Sequence, residues 1–336
     1  MAAVRRPTQA DVARLAGVST ATVSYVASGR PNRTGGASPE VTARVTAAMS
    51  ELGYRPLWAG RALRRQRTGL LAVVSYSPLN PWAEVLLDQV QRIAGTHHLN
   101  VAMLRYTHVD TLPPIVELLR KGWADGVLVL GLEDLPATYQ EALAGLPLPI
   151  LASANTGPTG VSLIRQDEEG AMRQALASLR EGGATRLLFV GDVGSPENMG
   201  GARLEWLTRA RAGLWDEVEL HGVYGPRPDP DALAGVVRSV RKGHGPSGVL
   251  CGSDRTAIAV LWACTAAGVR IPDDVRLIGM GNIDEGRYSS PPLTTLGMVD
   301  ADYGAAIEHL VARTDDADLP PDVFDCPWEL IVRGTA

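Results

Sequence analysis

From Gly69 onward, short apolar runs alternate with amphipathic stretches, and this alternation constrains the fold of the 336-residue chain more than any other feature. Near-continuous apolar strands separated by helices are typical of parallel sheets that helices cover on both faces. Nine such strands exceed one compact unit, which predicts two α/β lobes with a ligand-binding cleft between them. The predicted strands are 69–76, 100–106, 126–131, 149–153, 161–167, 186–192, 218–223, 248–253 and 275–281, with helices such as 82–96, 168–182, 229–242 and 254–267 between them.

Residues 8–29 predict two short helices around a tight turn. Thr8 and Asp11 have the spacing of a capping box, and Gly17 stands where a helix ends in a left-handed residue. Ser19 then caps the second helix. The apolar faces predicted to point inward are Val12, Ala13, Leu15 and Ala16 on the first helix and Val23, Val26 and Ala27 on the second.

The other face of the second helix carries short polar and small side chains, together with one aromatic ring. Such a surface fits a major groove, where methyl and hydroxyl groups contact base edges. An ordinary helical hairpin explains the same pattern. The net charge of the N-terminal part of the chain distinguishes the two interpretations. The candidate residues for major-groove contact are Thr20, Ala21, Thr22, Ser24 and Tyr25.

The charge is divided unevenly along the chain. Residues 1–68 hold eleven arginines against three acidic residues, a net charge of +8, whereas the whole chain carries −5 and residues 69–336 therefore −13. A basic N-terminal part in front of an acidic remainder indicates a polyanionic partner such as duplex DNA.

A third helix and a basic connector complete the N-terminal part. Ser38, Pro39 and Glu40 mark the start of the helix, and Gly53 marks its end. Residues 54–69 then carry only positive charges, so either they form a flexible linker or they become helical on DNA. In the second case, Leu63 is available to wedge into a minor groove.

Several function classes are excluded or disfavoured by the sequence. No apolar stretch approaches membrane length and the N-terminus lacks a secretory apolar region, which predicts a cytoplasmic protein that does not contact a membrane. The three scattered cysteines predict buried, reduced thiols. The phosphate-loop, dinucleotide and nucleophile-elbow patterns are missing, and the adjacent pair His97-His98 does not suit a metal, so no enzyme activity, cofactor or metal site is expected.

The stretches DVARLAGVSTATVSYVASG, SPEVTARVTAAMSELGYRP with GRALRRQRTG, and SDRTAIAVLWACTAAGVRIPDDVRLIGMGNID with PPLTTL resemble the lac/gal repressor family of bacterial transcription regulators. The resemblance implies a helix-turn-helix headpiece over 1–56, a hinge helix or linker over 57–68 and a two-lobed, periplasmic-binding-protein-like (type I) α/β core over 69–336. It further implies that lobe 1 comprises about 69–160 and 299–325, and lobe 2 about 161–298 and 326–336. A homodimer, or a tetramer, that binds a pseudo-palindromic operator is the expected assembly.

The resemblance also implies particular roles for particular residues. Thr20, Ala21 and Tyr25 match the base-recognition positions, and Leu63 with its neighbours Arg61 and Arg64 matches the minor-groove hinge. The matching effector-site positions are Arg203, Ser253, Asp254 and Asn282, to which Trp82 adds a possible stacking wall. For Trp82 the competing interpretation is packing at a helix start, and for Arg203 and Asp254 it is a salt bridge or a helix cap.

One departure affects the expected ligand. Gly281 stands where the family has an aspartate that grips a sugar hydroxyl, so a simple hexose is disfavoured. The expected function is that of an effector-responsive repressor. A polar metabolite, either carbohydrate-like or of another kind, modulates its binding to the operator. The alternatives are a constitutive DNA-binding regulator with a degenerate, ligand-free cleft, and a ligand-binding protein whose headpiece has lost specificity, which the +8 charge of residues 1–68 argues against.

Overall fold

The computed structural model forms two compact units, residues 1–68 and 69–336. Residues 28, 201 and 202 are described by their backbone alone, and the structure describes residues 7–28, 37–55, 67–76, 83–191, 201–222, 229–243 and 245–336.

Three helices make up the described part of the first unit: α1 (Gln9–Ala16), α2 (Thr20–Ser28) and α3 (Pro39–Leu52). The predicted caps are confirmed. The Thr8 hydroxyl accepts from the amide of Asp11 at 3.3 Å, while the Asp11 carboxylate accepts from the amide of Thr8 at 2.9 Å. Gly17 ends α1 at φ 63°, and the Ser19 hydroxyl accepts from the amide of Thr22 at 3.1 Å.

The three helices enclose a small core. One prediction about it is wrong: Leu15 is 45% exposed and does not join the inward face of α1. The residues that point inward lie within about 100° of one another on the helix, and Leu15 falls outside this arc. The buried residues are Val12, Ala13, Ala16, Val23, Val45, Ala48 and Tyr54, the last of which the helical pattern did not include.

The second unit alternates strands and helices, as predicted. Its elements in chain order are β1 (Leu70–Tyr76), α4 (Ala83–Thr96), β2 (Asn100–Tyr106), α5 (Pro113–Arg120), β3 (Gly126–Leu130), α6 (Ala137–Ala144), β4 (Ile150–Ser153), β5 (Ser162–Arg165), α7 (Glu168–Glu181), β6 (Arg186–Gly191), α8 (Gly201–Ala210), β7 (Glu219–Gly222), α9 (Pro230–Lys242), β8 (Ser247–Cys251), α10 (Asp254–Ala266), β9 (Val275–Met280), α11 (Asp284–Arg287), β10 (Thr294–Gly297), α12 (Gly304–Asp315), β11 (Val323–Asp325) and β12 (Glu329–Ile331). Short 3₁₀ turns occupy Val109–Thr111 and Leu132–Asp134.

These strands form two six-stranded sheets with the orders β11-β5-β4-β3-β1-β2 and β12-β10-β9-β8-β6-β7. Every neighbouring pair is parallel except β10 with β12. The predicted pair of α/β lobes is therefore confirmed. The three strands that the sequence analysis did not predict, β10, β11 and β12, have only three or four residues each.

Helices cover both faces of each sheet, which explains why the strands are almost continuously apolar. In β1, Ala72 and Val74 pack on one side with α5 and α6, while Leu71 and Val73 pack on the other with α4 and α12. The second sheet is covered by α7 and α8 on one face and by α9 and α10 on the other.

The chain crosses between the two sheets three times, and one crossing differs from the prediction. Strand β5 pairs with β4 and β11 in the first sheet, so lobe 1 extends to Arg165 rather than ending near residue 160. The sequence predicts a strand over 161–167, but it does not show which strands pair with it. The other crossings, 298–303 and 326–328, fall at the expected places.

The remaining structural expectations concern cysteines and membrane helices. All three cysteines, Cys251, Cys264 and Cys326, are free and buried, as predicted. Within the described ranges, no helix combines the length and the apolar character needed to cross a membrane.

A pair of glycine substitutions tests the packing of lobe 2. An alanine at Gly279 in β9 would place its Cβ against the Asp254 carboxylate and 3.0 Å from the Leu293 side chain. We expect Gly279→Ala to lower the free energy of unfolding by about 2–3 kcal/mol because the buried neighbours have to shift. The control is Gly95→Ala in α4, where nothing lies within 4 Å of the added Cβ.

This control should stabilise the protein by about 0.5–1 kcal/mol through helix propensity. Denaturant titration of the two variants measures both values. Equal effects would contradict the described packing around Gly279.

Candidate functional site

Helix α2 presents the surface predicted to recognise DNA. Thr20 and Ala21 are exposed, Thr22, Ser24 and Tyr25 are half-buried, and Val23 is buried beneath them. The Thr22 hydroxyl lies 2.9 Å from the Ser19 hydroxyl, so it already takes part in the cap of α2. Thr20 and Ala21 are thus the most accessible of the five predicted contact residues.

The same unit also carries exposed positive charge. Arg14, Arg44 and Arg55 are exposed on the described part of the first unit. Arg14 lies 3.4 Å from Asp11, and as a surface ion pair this contact contributes little stability and leaves the guanidinium accessible to phosphates. The predicted hinge residues Arg61, Leu63 and Arg64 lie outside the described residues.

Two cavities lie between the lobes of the second unit. The first, of about 460 Å³, is lined by the start of α4 in lobe 1, by Gly281, Asn282 and α11 in lobe 2, and by the crossing 298–303 with Trp328 between them. The second, of about 980 Å³, is lined from lobe 1 by the segments after β3 and β4 and from lobe 2 by α8. Cavities of this size at an interface between lobes are typical of small-molecule sites. Trp82, the predicted stacking wall, lies outside the described residues.

The predicted effector residue Asp254 lies inside lobe 2. Its side chain is 1% exposed and accepts hydrogen bonds from the Ile283 amide at 2.9 Å and from the Thr295 hydroxyl at 2.6 Å. Burial raises the pKa of Asp254 to about 6, although both hydrogen bonds favour its charged form. This geometry favours a structural role over a direct ligand contact.

Ser253, not Asp254, caps helix α10. The Ser253 hydroxyl accepts from the Thr256 amide at 3.2 Å and lies 3.0 Å from the Thr256 hydroxyl. The sequence analysis considered a cap at Asp254; the cap is one residue earlier because Ser253 has the extended backbone of an N-cap.

Asn282 lines the first cavity, but its side-chain amide bonds to other groups of the protein. Its amide donates to the Met298 carbonyl at 2.7 Å, and its carbonyl oxygen accepts from Arg333 at 2.5 Å. The residue has a φ of 50°, next to Gly281 at 127°. Asn282 therefore connects the end of β9 to the crossing that begins at Met298.

Two glutamines that the sequence analysis did not single out connect the three crossings. The side chain of Gln166 is buried, donates to the Tyr303 hydroxyl at 3.3 Å and accepts from the Ser153 hydroxyl at 3.2 Å. The backbone carbonyl of Gln166 accepts from the Trp328 amide at 2.7 Å. Gln89 of α4 donates to the Ala301 carbonyl at 2.7 Å and accepts from the Tyr303 amide at 2.8 Å. Each crossing is thus bonded to another or to α4.

A second polar group, also not predicted, links the lobes beside the larger cavity. The Asn155 side chain donates to Glu133 at 3.3 Å and to Glu168 at 2.6 Å, and accepts from the Asp167 amide at 2.8 Å. Burial raises the pKa of both glutamates. The signal in the sequence was the presence of polar residues within four positions of the ends of the apolar strands β3, β4 and β5.

Arg203, the remaining predicted effector residue, is a half-buried side chain of α8. Its positive charge lowers the pKa of Glu168, an effect opposed by burial and by the charge of Glu133. The structure thus brings Arg203 near the Asn155 cluster, while Ser253, Asp254 and Asn282 belong to the α10 and β9 region of lobe 2.

Replacement of Asp254 by asparagine tests its burial through pH dependence. Since the folded state raises the pKa of Asp254 from 3.8 to about 6, it binds the proton more tightly than the unfolded chain does. The stability from this proton is complete below pH 3.8 and is lost as the pH rises through about 6. Relative to Asp254→Asn, the wild-type free energy of unfolding should fall by about 2–3 kcal/mol over this window.

Denaturant titrations of both proteins at several pH values measure this difference. Asparagine cannot ionise, so its own profile lacks the contribution. Two parallel profiles would show that Asp254 is not buried as described.

Comparisons with known proteins match both parts of the chain. The sequence model described as bacterial regulatory proteins, lacI family, matches residues 8–56, and the model of a periplasmic binding protein-like domain matches residues 176–336. The HTH-type transcriptional repressor PurR of Aliivibrio fischeri (strain MJ11) is 27% identical over 334 residues, which cover 97% of each protein.

Two solved structures share the fold along nearly the whole chain. The lac repressor dimer bound to operator and the anti-inducer ONPF is similar with a TM-score of 0.74 at 19% identity, covering 98% of this chain and 99% of that one. A lacI family regulator from Silicibacter pomeroyi reaches a TM-score of 0.79 at 20% identity, with coverages of 98% and 99%. With both parts of the chain matched in this order, the protein belongs to the lacI family of bacterial regulatory proteins, which are DNA-binding transcriptional regulators and not enzymes.

Proposed function

We propose that this protein is a homodimeric repressor of the cytoplasm that binds a pseudo-palindromic operator, and that a polar small molecule in the interlobe cleft controls this binding. The observation that carries the proposal is the exposed, short-chain face of α2 on a capped headpiece, with Arg14, Arg44 and Arg55 exposed on the same unit. The joint presence of the caps, the polar face of α2 and the exposed arginines argues against a headpiece that has lost its function.

Base recognition is assigned to α2. Thr20 offers a methyl and a hydroxyl, Ala21 offers an apolar contact suited to a thymine methyl, and the ring of Tyr25 suits a thymine methyl or a phosphate. The neighbouring arginines contact phosphates, which position the headpiece without specifying sequence. Thr22 and Ser24 complete the proposed contact surface.

The connector is assigned to the minor groove. Leu63 is proposed to wedge into a central base step, with Arg61 and Arg64 on the flanking phosphates. Since the unbound segment 57–68 carries only positive charges, DNA phosphates would neutralise it and favour a helical conformation.

Dimerisation places two headpieces on successive major grooves, roughly 34–36 Å apart. Large apolar side chains on the second unit support an interface with a second copy. Trp262 of α10 is 68% exposed and Tyr288, directly after α11, is 84% exposed. Aromatic residues are enriched at interfaces between proteins, which makes these two side chains candidates for such a contact.

Control by the ligand follows from the three crossings. A molecule that binds both walls of the cleft favours one lobe arrangement, and the bonded crossings transmit the rotation to the lobe from which the connector starts. By linkage, DNA changes the affinity for the ligand by the same factor by which the ligand changes the affinity for DNA.

A constitutive regulator with an unused cleft is the second candidate, and Gly281 favours it. Neither Gly281 nor Asn282 has a carboxylate for a sugar hydroxyl, and the carboxamide of Asn282 already bonds to Met298 and Arg333. Thermal unfolding with candidate metabolites separates the two functions, since a specific ligand raises the midpoint by mass action. A constitutive regulator would show no shift and no change in operator binding with any of them.

Substitution of Leu63 tests the wedge. Leu63→Ala should weaken operator binding about tenfold or more but leave binding to random duplex nearly unchanged, because only a specific complex contains the opened base step. Fluorescence anisotropy with both duplexes measures this ratio. The matched control is Leu220→Ala, which removes an exposed leucine of the second unit and should change neither value.

Arg64→Ala provides an independent reading of the same segment. It should reduce the slope of log affinity against log salt concentration by about one, for random and specific duplex alike, because one phosphate contact is lost. Equal losses on both duplexes for Leu63→Ala would assign Leu63 to general affinity and contradict the wedge.

A further inference from the structure

The carboxamide of Asn155 bonds to three parts of the second unit at once. Its side-chain nitrogen donates to Glu133 of lobe 1 at 3.3 Å and to Glu168, the first residue of α7 in lobe 2, at 2.6 Å. Its side-chain oxygen accepts from the amide of Asp167, in the crossing between β5 and α7, at 2.8 Å. A primary amide has two N–H donors, so both are used and each of them holds a different lobe.

The bond to Asp167 also supports the conformation of the crossing. Asp167 has a φ of 49°, in the left-handed region that residues other than glycine seldom adopt. In this conformation its carboxylate accepts from the Gly170 amide at 3.2 Å and caps α7. The same side chain that joins the lobes therefore holds the crossing in the shape from which α7 begins.

The two carboxylates that Asn155 joins repel each other. Glu133 is half-buried and Glu168 is only 9% exposed. Arg203 attracts Glu168 within lobe 2, whereas Arg209 attracts Glu133 from the other lobe but donates its hydrogen bond, at 2.7 Å, to Glu169 of its own lobe. Burial raises the pKa of Glu133 and of Glu168 in spite of these partners, so both charged forms are held at a cost.

The contact between the lobes is therefore a balance of opposed contributions. Bringing the lobes together removes water from two like charges, which is unfavourable. The two N–H groups of Asn155 offset this cost with charge-assisted hydrogen bonds. Separation of the lobes would return water to both carboxylates, so one side chain decides which arrangement is more stable.

We propose that Asn155 is a latch that holds the two lobes in the arrangement described, and that the cleft opens by release of its bonds to Glu133 and Glu168. The regulatory role of the latch rests on the proposed function, in which the lobe arrangement controls operator binding. A ligand that favours either arrangement has to work with or against these bonds, since it can shift the equilibrium only by its differential affinity for the two states.

A distance between the lobes measures the latch directly. Thr138 of α6 in lobe 1 and Thr208 of α8 in lobe 2 are exposed, and all three native cysteines are buried. Spin labels on Thr138→Cys and Thr208→Cys, in full-length protein diluted with unlabelled protein, report the distance within one subunit by double electron–electron resonance. Without ligand or DNA, we expect the latched protein to show mainly one short distance.

Two substitutions of Asn155 should open the lobes. Asn155→Ala removes both donors, and we expect the ratio of long to short distances to rise about tenfold or more, because hydrogen bonds to charged groups are the stronger class. Asn155→Asp keeps the size and the acceptor for Asp167 but places a third negative charge between the two others, so the ratio should rise further. Circular dichroism checks that each variant is folded.

The matched control is Gln140→Ala. Gln140 is a second carboxamide beside the same cavity, but its side chain donates to the Leu135 carbonyl at 2.7 Å within lobe 1. Its removal should leave the distances between the labels unchanged.

The pH dependence of Asn155→Ala distinguishes the latch from a loss of packing. A protonated carboxyl group neither repels its neighbour nor needs a charge-assisted donor, so the short distance should return as the pH falls. Loss of packing alone would give the same distances at every pH. The charged or titratable groups that face the two carboxylates from neighbouring elements are Asp134, Asp167, Glu169, Arg203, Arg209 and Tyr303.

Each result decides the inference. Unchanged distances in both Asn155 variants, an equal change in Gln140→Ala, distances in Asn155→Ala that do not respond to pH, or a wild-type protein that already shows mainly the long distance would overturn the latch. Operator affinity of the same variants tests the proposed function separately. If the lobes open and operator affinity stays that of the wild type, the latch stands and control of DNA binding by the lobes fails.

Discussion

The hydrogen bonds that connect the three crossings determine how the second unit can respond to a ligand. Each lobe has its own sheet covered by helices on both faces, so each behaves as a rigid body because close-packed cores do not deform continuously. Relative motion has to occur in the short segments 166–167, 298–303 and 326–328. The side chains of Gln166 and Gln89 bond to the segment 298–303, and the backbone carbonyl of Gln166 accepts from the Trp328 amide, so the segments move together.

The unequal charge of the chain gives each part a different partner. The basic first 68 residues meet phosphates, and counterion release makes that affinity large and dependent on salt. The acidic second unit repels the same phosphates, which directs DNA to the headpiece.

Local features were predictable from the sequence because their causes are local. The capping box of Thr8 and Asp11, the left-handed Gly17 and the cap at Ser38 depend on residues three or four positions apart. The nine strands β1 to β9 and the two-lobed fold followed from the alternation of apolar and amphipathic stretches. The family resemblance supplied the division into headpiece, connector and core.

Features that depend on distant residues were not predictable in the same way. The buried Asp254 carboxylate accepts hydrogen bonds from Ile283 and Thr295, which lie 29 and 41 positions further along the chain. The pairing of β5 with β11 joins segments about 160 residues apart, and without it the lobe boundary was misplaced. Asn155 and Glu168 meet only because the chain turns from lobe 1 into lobe 2 between them.

The central claim is that a ligand-sensing, two-lobed core governs a sequence-specific headpiece. The most direct measurement is selection of genomic DNA fragments by the purified full-length protein at physiological salt, with and without a metabolite that raises its thermal midpoint. The account predicts enrichment of a pseudo-palindromic site whose recovery changes when the metabolite is present. Fragments recovered in proportion to their abundance, with no site enriched in either condition, would contradict it.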